Sequence, residues 1–193
     1  MAAEPRALFD ATLAATIALH EHMKQHAQPV LAAADAVSGA LKAGGKLLVF
    51  GNGGSAADAQ HVAAELIGRF QRERAAMAAI ALTTDASVLT SVANDYAFDR
   101  VFARQVEGLG RRGDVALGIS TSGASPNVVA GLIAAAGLGL QTIALTGADG
   151  GAVGKAAAIH VNVPSPSAAR VQEVHRTLLH VICDLVERSA VDA

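Results

Sequence analysis

The sequence predicts an α/β fold: a central parallel sheet flanked by helices on both faces, in the flavodoxin-like three-layer α/β/α manner. Three observations predict it. Five short runs, Lys46–Phe50, Ala78–Leu82, Val115–Ser120, Thr142–Thr146 and Ile159–Val163, are apolar on both faces and bounded by Gly, Asp or Pro, as buried parallel strands are. Longer stretches of helical periodicity separate them, at Ala56–Arg69, Ser87–Ala93, Phe98–Leu109, Asn127–Gly137 and Ala168–Arg188. Strand alternating with helix requires crossover connections, and these place helices on both sides of a parallel sheet.

The third observation is size. At 193 residues the chain fits one domain, which buries roughly 70% of its unfolded surface. Residues 1–44 form an N-terminal helical segment ahead of the alternating unit at 45–193, and together they make one structural body. Between Arg6 and Lys42 the chain is rich in Ala, Leu and His, which gives two helices separated near Pro29. Hydrophobic residues are 52% of the chain, charged residues 17%, and the mean hydropathy is +0.38. That composition leaves apolar surface to bury against another subunit, and the Ala-rich N-terminal segment is the expected contact.

Composition also excludes functions. Trp is absent, aromatics are 3% and the formal net charge is −2, so there is neither a stacking platform nor a basic footprint for nucleic acid, and no basic patch for a membrane surface. The lone Cys183 forms no internal disulfide. The N-terminus lacks a charged start and an unbroken apolar core, and no run reaches membrane-spanning length, so a soluble cytoplasmic protein is expected.

Ligands in such sheets sit beyond the C-terminal ends of the strands. After the first strand comes Gly51-Asn52-Gly53-Gly54-Ser55, opening a helix whose free N–H groups and positive dipole end suit an anion. Alone it is equally a tight turn, and Gly51, Gly53 and Ala56 even satisfy the dinucleotide G-x-G-x-x-G/A pattern. A second loop, Ser120-Thr121-Ser122-Gly123-Ala124-Ser125-Pro126, sets four hydroxyls within six positions at another helix start. Ser125 suits the N-cap and Pro126 the first helical position. Capping leaves Ser120, Thr121 and Ser122 without a task, whereas a phosphate uses all of them.

His61 and Glu65 stand four apart in the helix after the glycine loop and share a face, as a metal pair or an ion-paired couple does. On the last helix Val171, Val174, Leu178, Val181, Ile182 and Leu185 form an apolar arc. Gln172, Glu173, Thr177, His180, Cys183 and Asp184 fall on the polar side. A solvated face accounts for that arc as readily as a site does. His20, His22 and His26 read as another solvated helix face, Cys183 as a small packing residue, and His160 and His175 receive no role.

The two loops together resemble the sugar isomerase (SIS) family, whose members hold phosphosugars at the C-terminal edge of a parallel sheet. The runs Gly51–His61, Ala64–Leu66, Ala93–Tyr96, Gly118–Gly123, Leu145–Gly147 and Arg170–His175 resemble those of its phosphoheptose isomerases, over residues 45 to 187. The resemblance implies a single SIS-type domain, a homotetramer with sites near subunit interfaces, and a zinc site made by His61, Glu65, Gln172 and His180. It implies substrate contacts from Asn52, Gly53, Gly54, Ser55, Asn94, Asp95, Ser120, Thr121, Ser122, Ser125 and Gln172. The activity it implies converts D-sedoheptulose 7-phosphate to D-glycero-D-manno-heptose 7-phosphate through an enediol, with Glu65 as base at carbon and His180 moving protons at oxygen. Ala124 stands where the family's loop often has Asn, and Ala168 and Ala169 where a polar residue is frequent.

Three other functions compete. Some SIS relatives bind the bacterial replication initiator and lack part of the acid/base pair, whereas this chain has both Glu65 and His180. A sugar-phosphate-sensing module needs the loops but not the four side chains of the implied zinc site. A dinucleotide oxidoreductase needs a separate substrate domain, and none is evident.

Overall fold

The computed structural model describes residues 4–191. Its helices are α1 (Pro5–Lys24), α2 (Gln28–Lys42), α3 (Gly54–Ile67), α4 (Ala86–Asp95), α5 (Val101–Leu109), α6 (Pro126–Gly137), α7 (Gly151–Lys155) and α8 (Ala168–Val191). The strands are β1 (Leu47–Gly51), β2 (Ala79–Ala81), β3 (Val115–Ser120), β4 (Gln141–Gly147) and β5 (Ile159–Val163). All five strands pair in parallel in the order β2-β1-β3-β4-β5. This is the expected single-domain, three-layer α/β/α architecture.

The apolar pattern fixes the layers. Leu47, Val49, Leu117 and Ile119 meet α2, α3 and α8 on one face. Leu48, Phe50, Ala116 and Ala144 meet Val101, Phe102, Val128 and Leu132 of α5 and α6 on the other. β1 and β3 are fully buried, as continuous apolar strands must be. The edge strands depart from the expectation of two buried faces: Ile80 of β2 is exposed, and β5 alternates around His160 and Asn162. At the other end of the sheet Asp114 accepts the Lys46 and Arg111 backbone N–H groups and the Lys46 ammonium, tying β1 to β3.

Several boundaries shift. The break between the first two helices lies at 25–27, while Pro29 sits in the first turn of α2, where its missing N–H costs no helical bond. α2 is no appendage, since Val30, Ala33, Ala34 and Val37 are core residues. Residues Phe98–Arg100 enter α5 as a 3-10 turn. The short α7, too brief for a helical periodicity to register, does not figure in the sequence expectation.

Candidate active site

β1 and β3 are neighbours, yet α3 leaves to one face and α6 to the other, so the loops after them flank a crevice. In the first loop Gly53 takes φ +56°, a left-handed conformation that aims the chain into α3. Gly54 lies under Gln172: a Cβ built on Gly54 falls 1.8 Å from Gln172 Nε2. Ser55 is buried in the first turn of α3. Asn52 bridges the crevice through two hydrogen bonds with Asn127 of α6, each amide donating to the other's carbonyl at 2.9 Å.

In the second loop the hydroxyls gather. Ser120 Oγ lies 2.9 Å from Ser125 Oγ and 3.4 Å from Ser122 Oγ, and Ser122 Oγ accepts the Ala124 N–H. Thr121 is half-buried beside them. Ser125 occupies the N-cap position of α6, but its side chain caps no N–H. Its hydroxyl turns to Ser120 instead, which removes plain capping as the reason for the motif.

α3 and α8 face each other along a seam of three rungs. Gly54 meets Gln172, Asp58 meets Arg176, and His61 meets His180. In the middle rung Arg176 Nε donates to Asp58 Oδ1 at 2.8 Å, and Nη2 lies 2.5 Å from the same oxygen in an ion pair. In the last, His61 Nε2 is 2.7 Å from His180 Nε2 and 3.3 Å from Glu65 Oε1. Among the described residues, His61, Glu65 and His180 are the grouping of such side chains able to hold a metal ion, with ligand atoms within 4.8 Å of one another. Two imidazoles and a carboxylate on a half-buried seam are a donor set that suits zinc. Burial, and then the Arg176 guanidinium, draw His61 below the ordinary imidazole range against the pull of Glu65, which favours the neutral ring that a metal requires. Gln172 lies two turns along α8 from His180, with its amide against Gly54.

The surroundings include residues that the sequence motifs do not mark. Phe70 lies tilted on the His180 ring, centroids 5.5 Å apart. Its loop is held by Glu187, which accepts the backbone N–H groups of Phe70, Gln71 and Arg72 at 2.8–2.9 Å. Glu187 follows His180 by seven residues on the same helical face, a spacing that was there to be read. The polar arc of α8 needs correcting too. Cys183 is buried and its thiol is pushed up to about 12 by burial, as a packing residue's would be, whereas Val181 is 42% exposed.

The remaining histidines have structural work. His175 is fully buried, and its Nε2–H donates to the Thr146 carbonyl. His160 meets the Thr146 hydroxyl at 2.6 Å. His20 joins α1 to Thr177 of α8, while His22 near the end of α1 stacks on His26 in the break that follows, both exposed. Asn94 and Asp95 end α4, exposed, where Asn94 donates to Asp95 at 2.8 Å; neither hydrogen-bonds to either loop.

A fold with two hydroxyl- and glycine-lined loops at the switch point and an imidazole–carboxylate cluster beside them invites comparison with known proteins. Residues 13–147 match the SIS domain family. The chain is 53% identical over 167 residues to a phosphoheptose isomerase of Roseiflexus sp. (strain RS-1), covering 86% of this chain and 85% of that protein. It is 56% identical over 162 residues to that of Aquifex aeolicus, covering 84% and 85%. The structure of the phosphoheptose isomerase from Neisseria gonorrhoeae superposes with a TM-score of 0.90 at 44% identity, covering 95% of this chain and 99% of that one. The chain belongs to the SIS domain family and, within it, to the phosphoheptose isomerases.

Proposed function

We propose that this enzyme converts D-sedoheptulose 7-phosphate to D-glycero-D-manno-heptose 7-phosphate. One observation carries the reading: two phosphate-type loops flank the crevice between β1 and β3, and a carboxylate–imidazole cluster lies on the α3–α8 seam that starts at the first of them, in a chain of this family. The Ser120, Thr121, Ser122 and Ser125 hydroxyls and the starts of α3 and α6 take the phosphate, with Asn52, Gly53, Gly54 and Ser55 forming the opposite wall. Asn94, Asp95 and Gln172 contribute to the sugar-binding set.

Glu65 takes a proton from C1 of the ketose as the C1–C2 double bond forms, and the C2 carbonyl oxygen takes a proton from His180, giving the enediol. The O1 proton then passes back to His180 as the C1 carbonyl forms, and Glu65 returns its proton to C2. No atom or electron is left over. General acid–base catalysis of this kind contributes about 10²–10⁴-fold per group. His61, Glu65 and His180, with Gln172, would hold a zinc ion that supplies Lewis-acid polarisation of a carbonyl. A homotetramer acting in the cytoplasm, on the first step of nucleotide-activated heptose biosynthesis for products such as lipopolysaccharide, completes the proposal. The exposed α1 stripe of Leu8, Phe9, Leu13 and Ile17 supports the assembly.

The rival binding-protein reading needs the loops without the acid/base pair, and here both Glu65 and His180 flank His61. Direct assay of ketose-to-aldose conversion tests the proposal: turnover supports it, and ligand binding without turnover in the zinc-replete enzyme overturns it.

A further inference from the structure

Asn127 is 2% exposed and sits in the first turn of α6, just after Pro126. A buried amide at that point is costly unless its polar atoms are paired, and an aliphatic residue would pack there at no such cost. Its partner is Asn52, 75 residues away in the glycine loop. The two amides form a closed ring of two hydrogen bonds, each 2.9 Å, across the crevice where β1 and β3 part company. Each amide has two N–H groups and two lone pairs, so the ring leaves Asn52 with one N–H and one lone pair for a ligand. The same ring sets the spacing between the glycine loop and the serine loop, because Asn127 follows Ser125 by two residues.

We infer that Asn127 is a positioning residue: it fixes the Asn52 amide and the separation of the two loops, and thereby governs affinity for the phosphosugar. The inference rests on the isomerase reading for its substrate but not for its geometry. It acts on binding, since the proton-transfer groups lie on the α3–α8 seam and touch neither amide.

The test is a double-mutant cycle with Asn52→Ala, Asn127→Ala and both together, reading kcat and KM for sedoheptulose 7-phosphate, Kd for inorganic phosphate, and Tm. Losing the ring is expected to raise KM and the phosphate Kd by about tenfold in Asn127→Ala, the scale of one hydrogen bond, with kcat held within about threefold. The double variant is expected to bind no worse than Asn52→Ala alone. Asn127→Asp, which keeps the acceptor but cannot donate to Asn52 Oδ1, is expected to weaken phosphate binding as well, and it serves if the alanine variant does not fold. Unchanged phosphate Kd in both Asn127 variants, or effects of the two alanine substitutions that multiply, would overturn the inference. Absence of turnover in the wild type would instead count against the isomerase reading, while the phosphate arm still decides the role of Asn127.

Discussion

His61 and His180 bring their Nε2 atoms to 2.7 Å of each other, across the seam between α3 and α8. At that distance one ring donates its N–H to the other's lone pair. A metal needs both Nε2 lone pairs, so its binding must move the donating ring's proton to Nδ1. With Glu65 alongside, the pair supplies the ligands of the proposed metal site, and burial helps to hold His61 neutral.

Zinc uptake checks this. Wild type is expected to retain zinc through dialysis and to take it up again after chelation. His61→Gln and His180→Gln are expected to weaken zinc binding by at least about 100-fold, since losing a ligand exceeds the 10–100-fold cost of losing a ligand's partner. Metal analysis after dialysis, with titration calorimetry, reads both effects. Unaltered zinc content in either variant would remove that residue from the site.

Gly54→Ala makes a sharper steric prediction. The methyl meets only the far end of the flexible Gln172 side chain, so the fold survives while the Gln172 amide is displaced. Tm is expected to change by less than about 3 °C, the equivalent of roughly 1 kcal/mol for a chain of this size, while KM for the phosphosugar rises several-fold. A normal KM would show that Gln172 does not act from this position.

Stability is expected to fall as the pH is lowered, in two stages. His175 is buried and its imidazole is pushed down to about 4, against about 6.5 in the unfolded chain. Between those values the unfolded state binds the extra proton, so the stabilisation is complete above 6.5 and drains away towards 4, to a limit of about 3 kcal/mol. Burial alone would raise the Glu187 carboxyl, but the three N–H groups of the 70–72 loop and Arg74 outweigh it and hold it below the ordinary range. Its stabilisation is present above the ordinary Glu value and is lost as the pH falls through the depressed one, a stage that follows the first. Denaturant melts from pH 8 to 3 check this, and His175→Gln is expected to flatten the upper stage. An upper stage of unchanged slope in that variant would place its origin elsewhere.

Much of this was legible in the sequence. β3 and β5 fall where the apolar runs ended, because Gly, Asp and Pro punctuate them. The two loops were readable because glycines and clustered hydroxyls mark them locally. What was not legible depends on contacts between distant segments. Asn127 reads as an ordinary helix-start residue until Asn52 is placed opposite it. Arg176 and Asp58 pair only once α3 and α8 are aligned, and the helical wheel put Cys183 outside because it did not know how deeply α8 sinks between α2 and α3.

The exposed α1 stripe predicts the assembly. Leu13→Glu with Ile17→Glu places two charges on residues that are 48% and 63% exposed in the single chain, so the chain itself should still fold. Sedimentation velocity is expected to show a tetramer for wild type and smaller species for the variant. A wild-type monomer would contradict the proposed assembly, and an intact variant tetramer would move the contact off α1.

The most direct test of the central claim is conversion of sedoheptulose 7-phosphate to the aldoheptose phosphate by zinc-replete wild type beside Glu65→Gln and His180→Gln. The account predicts turnover in wild type and a loss of at least about 10²-fold in kcat in each variant, as expected for removal of a general acid or base. Full turnover in both variants would contradict the proton-transfer pair, and a silent wild type that still binds the phosphosugar would contradict the isomerase itself.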